Sequence, residues 1–122
     1  MTGDEPSVEQ VLLEWEQDLV RRQGLSPQTA RAYLSDATSL VAACGLNDAS
    51  LASAFCQAFT SRAVRTWLGA RALQGLARST VARNLAAAKA LATFLTRKGL
   101  LSGDPVSGIE VAPPDSRLPA VL

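Results

Sequence analysis

Hydrophobic residues recur at steps of three and four along most of this chain, a spacing that places their side chains on one face of an α-helix. Four long segments show the pattern: residues 7–23, 26–45, 60–74 and 75–101. Glycines follow or separate these segments, as is typical of helix C-termini. The pattern predicts an all-α fold, an orthogonal bundle of four main helices.

Hydroxyl residues at the starts of these segments indicate how each helix is capped. Ser7, Ser26 and Thr60 precede the first three helices, and each can accept a backbone N–H from the first helical turn. In the fourth segment the candidate capping side chains are Ser79 and Thr80. We therefore expect side-chain caps at the start of all four helices.

Changes in composition outside the four segments predict the domain boundaries. Residues 46–59 are rich in alanine and serine and have a weak helical period, so we expect a connector with at most a short extra helix. Residues 1–6 are expected to form a disordered N-terminus, and residues 7–101 a helical domain. Four prolines in residues 102–122 exclude a regular helix there, which predicts a proline-rich linker.

Charged residues are segregated along the chain, although the net charge is only +1. Residues 1–20 contain six acids and no base, residues 21–100 contain eleven bases and two acids, and residues 101–122 contain one base and three acids. The middle region thus carries a charge of +9, which suits a polyanion such as nucleic acid. Charge alone does not distinguish such a site from ordinary solvated helix faces.

Several classes of protein are disfavoured by features that the sequence lacks. No apolar run reaches the ~18 residues of a spanning helix, and the first ten residues are acidic where a signal peptide would be basic and then apolar. We therefore expect a cytoplasmic protein that does not bind membranes. Cys44 and Cys56 fit no metal-ligand spacing and are interpreted as reduced thiols, with a disulfide as the alternative. No metal, cofactor or small-molecule substrate is predicted.

Three segments in a fixed order carry a resemblance to a known family. They are GLSPQTARAYLSD, TSRAVRTWLGARALQGLARSTVARNLAAAKALATFLTRKGLL and GDPVSGIEVAPPDSRLPAVL. Together they resemble the N-terminal core-binding domain of tyrosine recombinases, the phage-integrase superfamily, and specifically its Xer-like bacterial members. The resemblance implies a SAM-like helical domain that forms one half of a clamp around duplex DNA.

The same resemblance implies which residues face DNA, because it places the second and fourth helices in or beside the major groove. The implied DNA-facing residues are Ser26, Gln28, Thr29, Arg31 and Ala32 from the second helix, and Arg78, Ser79, Thr80, Arg83, Asn84 and Lys89 from the fourth. Hydroxyls and helix N-termini suit phosphates, and arginine suits guanine edges or phosphates. Arg31 and Arg83 are expected to be exposed contacts whose removal leaves stability nearly intact. Arg97 and Lys98 are interpreted as cations that complement the helix dipole.

The resemblance also implies partners outside this chain, namely a C-terminal catalytic domain with a tyrosine nucleophile and other recombinase protomers on the DNA. This chain has no histidine and so lacks the family's His-x-x-Arg signature. Its single tyrosine, Tyr33, lies on the apolar stripe of the second helix. We therefore expect that this chain alone is not an enzyme. The alternative function is a helical SAM-like protein–protein interaction module whose basic middle region binds an acidic partner.

Overall fold

The computed structural model describes residues 5–111, and this part of the chain contains five helices and no strand. The helices are α1 (Val8–Arg21), α2 (Pro27–Ala43), α3 (Ala52–Ala58), α4 (Ser61–Leu73) and α5 (Arg78–Arg97). The four long helices coincide with the four predicted segments, and α3 lies in the connector. The all-α prediction is confirmed.

Side-chain caps hold the starts of α1, α2 and α4, as predicted. The hydroxyls of Ser7, Ser26 and Thr60 each accept a hydrogen bond from the backbone N–H three residues later, at 3.0–3.2 Å. Gln10 completes a capping box at α1, because its Oε1 accepts from the N–H of Ser7 at 2.8 Å. These bonds satisfy N–H groups that have no partner within the helix.

The start of α5 differs from the prediction, since neither Ser79 nor Thr80 caps it. Ala77 is the N-cap residue, with an extended backbone at φ −61° and ψ 150°, and no side chain bonds to the first turn. The carbonyl of Ala77 already accepts from the N–H groups of Thr80 and Val81 at 3.0 and 3.1 Å. The helix therefore begins one residue before the predicted caps, which are left inside its first turn.

The hydrophobic core lies between α1, α2, α4 and α5. Trp15, Leu40, Leu91 and Leu95 are among its fully buried side chains. Tyr33 is half-buried in α2, and its ring centroid lies 6.3 Å from that of Trp15 in α1. Each long helix contributes buried apolar side chains to this core, with Val64 and Leu68 among those from α4.

The chain after α5 packs onto the bundle instead of leaving it at residue 102. Leu101, Val106 and Ile109 are buried, and the Ser61 hydroxyl at the start of α4 donates a 2.8 Å hydrogen bond to the Pro105 carbonyl. Residues 102–111 thus belong to the packed domain, whereas their prolines and glycines had suggested a linker. The rest of the expected linker, residues 112–122, lies outside the described residues.

The N-terminal approach to α1 is also held in place where the structure describes it. Glu5 Oε2 accepts from the N–H of Ser53 at 3.2 Å, and the Pro6 carbonyl accepts from the N–H of Ala52 at 2.9 Å. Residues 5 and 6 are thus bonded to the start of α3, although residues 1–6 were expected to be disordered. Residues 1–4 lie outside the described part.

The two cysteines are free, half-buried thiols. Burial raises the pKa of both, and the negative charge of Glu5 raises the pKa of Cys56 further. Within residues 5–111 no cluster of three or more His, Cys, Asp and Glu side chains could hold a metal ion. None of the helices in this range is long and apolar enough to cross a membrane.

Candidate nucleic-acid interface

The start of α2 presents most of its predicted DNA-facing residues to solvent. Ser26, Gln28 and Arg31 are exposed, whereas Thr29 and Ala32 are half-buried. Gln28 and Arg31 are three residues apart and therefore share one face of the helix. The guanidinium of Arg31 makes no ion pair with any residue between 5 and 111. This face of α2 is polar, positively charged and accessible.

The hydroxyls of Ser26 and Thr29 are not equally available to a ligand. The Ser26 hydroxyl accepts from the N–H of Thr29 at 3.0 Å and donates to Thr29 Oγ1 at 3.0 Å. Since a hydroxyl has one hydrogen, Ser26 has none left to donate to DNA, whereas Thr29 keeps its own. Ser26 therefore acts as a cap, and Thr29 is the hydroxyl donor at this end of the helix.

The start of α5 presents Arg78 and Ser79 to solvent, with Thr80 half-buried. Because no side chain caps this helix, no side-chain oxygen accepts from the N–H of Ser79; the N–H of Thr80 already donates to the Ala77 carbonyl at 3.0 Å. An uncapped N–H such as that of Ser79, at the positive end of the helix dipole, favours binding of an anion such as phosphate. The missing cap makes this end more suitable for phosphate than a capped helix would be.

Arg83 is not the freely exposed arginine that was expected. Its Nε and Nη2 donate hydrogen bonds of 2.8 Å each to the two carboxylate oxygens of Asp36 in α2. The Arg83 side chain is 39% exposed and that of Asp36 only 1%. The hydrogen bond to Asp36 raises the pKa of Arg83, which keeps the guanidinium charged. Arg83 thus joins α5 to α2, and Arg83→Ala would leave a buried carboxylate without a partner.

Asn84 does not belong to the exposed surface, and its predicted contact with DNA is corrected by the structure. It is fully buried, because it lies on the same face of α5 as Val81 and Ala88. Its Oδ1 accepts a 3.1 Å hydrogen bond from Nε of Arg71 in α4. Asn84 therefore links two helices inside the domain.

Lys89 is exposed and makes no ion pair with a described residue, but it lies away from the helix starts. It is eleven residues after Arg78, about 16 Å along the axis of α5. Lys89, Thr93 and Thr96 line a cleft of about 710 Å³ together with Gly103, Asp104 and residues 106–108. Lys89 is therefore separate from the exposed residues at the start of α5.

A set of buried and half-buried polar residues between α2, α4 and α5 was not anticipated from the sequence. We call it the polar junction; its members are Asp36, Ser39, Trp67, Arg71, Arg83 and Asn84. Besides the two bonded pairs already described, Trp67 Nε1 donates to the Ser39 hydroxyl at 2.9 Å. One signal was available: Asp36 is one of only two acids in residues 21–100, and it falls on the apolar stripe of α2.

The last residues of α5 are bound to α1. Arg97 Nη2 lies 3.0 Å from both carboxylate oxygens of Asp18, and Lys98 Nζ lies 3.0 Å from Glu14 Oε1. Arg97 and Lys98, interpreted from the sequence as dipole-complementing cations, thus also pair with the acidic first helix. Their charges are neutralised, in contrast to Arg31.

These features define a helical domain whose fold is shared with a known family. The model of the family described as "Phage integrase, N-terminal SAM-like domain" matches residues 12–99. The chain belongs to this family, and the resemblance drawn from its three sequence segments is confirmed.

The relatives are tyrosine recombinases. The chain is 40% identical over 112 residues to tyrosine recombinase XerC of Mycobacterium bovis (strain BCG / Pasteur 1173P2) and to that of Mycobacterium tuberculosis (strain ATCC 25177 / H37Ra). It is 38% identical over 117 residues to tyrosine recombinase XerC of Mycobacterium sp. (strain KMS). The matches cover 92% and 94% of this chain but 36% and 37% of the relatives. The chain thus spans about a third of the length of these curated relatives. No solved structure matches it.

Proposed function

We propose that this chain binds duplex DNA as the core-binding domain of a site-specific tyrosine recombinase, forming one half of a clamp around the recombination site. The DNA-facing surface consists of the first two turns of α2 and the start of α5. Gln28, Thr29 and Arg31 provide donors from α2, and Ser79 provides its backbone N–H and its hydroxyl from α5. Membership of the family and the mycobacterial relatives support this proposal.

The distribution of carboxylates is the observation that carries the proposal. Helices α2, α4 and α5 contain a single acidic residue, Asp36, and it is buried against Arg83. Their exposed faces therefore present Arg31, Arg62, Arg65 and Lys89 without a carboxylate on the same three helices. A phosphate backbone would meet attraction on these faces and no charge repulsion from them.

Strand breakage and rejoining require groups that this chain does not offer. The sequence has no histidine, and its single tyrosine, Tyr33, is half-buried with its ring beside that of Trp15. We propose that a catalytic domain of the whole recombinase supplies this chemistry and that neighbouring protomers on the DNA are further partners. The domain described here would then contribute DNA affinity and orientation.

Binding of the chain to a labelled duplex, followed by fluorescence anisotropy, tests the proposal. Affinity should fall between about 50 and 200 mM salt, because each phosphate contact releases counterions. Arg31→Ala should weaken binding and lower the slope of log K against log salt by about 0.9, the value for one lost contact. Its unfolding free energy should change by no more than about 0.5 kcal/mol, since Arg31 is exposed.

Arg21→Ala is the matched control, because Arg21 is an exposed arginine in the last turn of α1, outside the proposed surface. It should leave the affinity and the salt slope unchanged. Equal effects of the two variants would indicate attraction by bulk charge and contradict the proposed surface. Absence of binding at low salt, or binding as tight to polyglutamate as to DNA, would overturn the DNA-binding function in favour of an acidic partner or none.

A further inference from the structure

Some of the N–H donors of the Arg83 guanidinium are hydrogen-bonded to Asp36, and the others are not. An arginine has five N–H donors in a planar group. The Asp36 carboxylate accepts one from Nε and one from Nη2, which leaves three N–H donors on Nη1 and Nη2. None of these three has a hydrogen-bond partner among residues 5–111. Two of them, one on each Nη nitrogen, point in parallel from the end of the side chain and form a second donor pair.

The burial of the two partners shows how this donor pair is held. The Asp36 side chain is 1% exposed, while that of Arg83 is 39% exposed. The carboxylate is therefore fixed within the packed helices, and the guanidinium reaches from it to the surface in the second turn of α5. Two hydrogen bonds of 2.8 Å fix both the position and the plane of the guanidinium. Little side-chain entropy remains to be lost when the outer donors meet a ligand.

The neutralisation of Arg83 by Asp36 determines which part of DNA this arginine can recognise. The carboxylate of Asp36 neutralises the charge of Arg83, so this arginine gains little from counterion release at a phosphate. Its oriented outer donor pair remains, and that geometry matches the O6 and N7 acceptors of guanine in the major groove. Arg31, which has no carboxylate partner among residues 5–111, is the converse case. It suits a phosphate, which is held by charge.

We propose that Arg83 reads a guanine edge in the DNA and that Asp36 is its positioning residue, holding the guanidinium with its outer donor pair toward the major groove. This inference rests on the DNA-binding function proposed above and adds a source of sequence preference to it. Asp36 touches no DNA itself and acts only through Arg83.

Selection from a pool of random duplexes tests this assignment, with the whole chain and two variants. The unmodified chain should enrich a guanine at one fixed position of the selected sites. Arg83→Lys retains a cation beside Asp36 but removes the outer donor pair, and it should lose that guanine. The loss corresponds to roughly 5- to 150-fold discrimination against the other bases. Asp36→Asn, which keeps one acceptor, should weaken the preference in the same direction.

Sequence preference is a readout that a purely structural ion pair would not change. Thermal unfolding of each variant first identifies a temperature at which all are folded; if Asp36→Asn does not fold, Arg83→Lys alone decides. Arg31→Ala is the control and should bind more weakly while enriching the same guanine.

The inference is overturned if Arg83→Lys enriches the same sites as the unmodified chain. It is also overturned if Arg83→Lys weakens binding to all sequences equally, since a contact that does not depend on the base sequence is a contact to the phosphate backbone. Failure of the unmodified chain to bind any duplex would instead contradict the DNA-binding function itself.

Discussion

Arg71 in α4 and Asn84 in α5 meet through a single hydrogen bond, in which Nε of the arginine donates to Oδ1 of the asparagine at 3.1 Å. Asn84 is fully buried, and its Nδ2 has no hydrogen-bond partner among the described residues. The amide therefore satisfies a neighbouring cation while one of its own polar atoms is left without a partner. Such an arrangement contributes to how the helices dock more than to total stability.

Asn84→Ala should lower the free energy of unfolding by about 1–3 kcal/mol, because it removes the acceptor of a half-buried Arg71 and leaves a small cavity. Urea unfolding measures this change. Thr93→Ala is the control, since Thr93 is exposed on the same helix, and it should shift the free energy by no more than about 0.5 kcal/mol. An unfolding midpoint equal to that of the unmodified chain would show that the bond to Arg71 contributes nothing.

Ala77→Ser should stabilise the chain by about 1 kcal/mol. Ala77 already has the extended backbone of an N-cap residue, and a serine there can accept from the N–H of Ser79, since that of Thr80 already donates to the Ala77 carbonyl. Differential scanning calorimetry measures the gain. Ala70→Ser, at an exposed interior position of α4, should instead lose a few tenths of a kcal/mol through helix propensity. A loss of stability in Ala77→Ser would contradict the assigned helix start.

The same substitution should weaken binding to duplex DNA at low salt. The new hydroxyl would occupy an N–H of the first turn of α5 that we propose to face a phosphate. Comparison with Ala70→Ser in the anisotropy assay isolates this effect from the change in stability. Unaltered affinity in Ala77→Ser would remove the start of α5 from the proposed surface.

Asp18→Asn should lower stability by less than about 1 kcal/mol at low salt, and the loss should vanish in concentrated salt. Asp18 pairs with Arg97 at 3.0 Å and with Arg22 at 3.6 Å, but the arginine side chains are 36% and 64% exposed, so water screens the attraction. Chemical unfolding at two salt concentrations tests this. Glu16→Gln, on the same helix but without an ion pair among the described residues, should show no salt-dependent loss.

The raised pKa values of the two cysteines predict a loss of stability at alkaline pH. Burial raises the pKa of Cys44 and Cys56 above the ordinary value of 9.0. The unfolded chain therefore releases these protons at lower pH than the folded chain. The stabilising contribution is complete below pH 9 and is lost as pH rises through the folded-state pKa values.

The difference in unfolding free energy between the unmodified chain and a Cys44→Ala, Cys56→Ala double variant should shrink above pH 9. At neutral pH, iodoacetamide should react slowly with both thiols. A constant difference across this range would contradict the raised pKa values.

The helices were predictable because their signals are local. Each apolar stripe repeats within one segment, and the caps of α1, α2 and α4 depend on residues three positions apart. At α5 the local signal was misleading, since two hydroxyls lie just inside the helix and the residue at the N-cap position, Ala77, has no capping group. The residue at which α5 begins depends instead on the conformation of the turn between α4 and α5.

The candidate site was less predictable, because exposure depends on the docking of helices that are distant in sequence. Arg31 and Arg83 both lie in the second turn of their helices, but only Arg83 meets a carboxylate, which lies 47 residues away. Asn84 falls on the apolar stripe of α5, and its position between Val81 and Ala88 could have indicated burial. Its bond to Arg71 could not be read from spacing, since it depends on the docking of α4.

The segment after α5 extends the packed core beyond the last helix. Gly103 and Gly108 adopt positive φ angles of 86° and 76°, which form tight turns between the buried side chains of Leu101, Val106 and Ile109. These glycines therefore let the chain fold back across the bundle after α5. Val111 also packs against the core, so residues that lie outside the five helices complete the interior of the described domain.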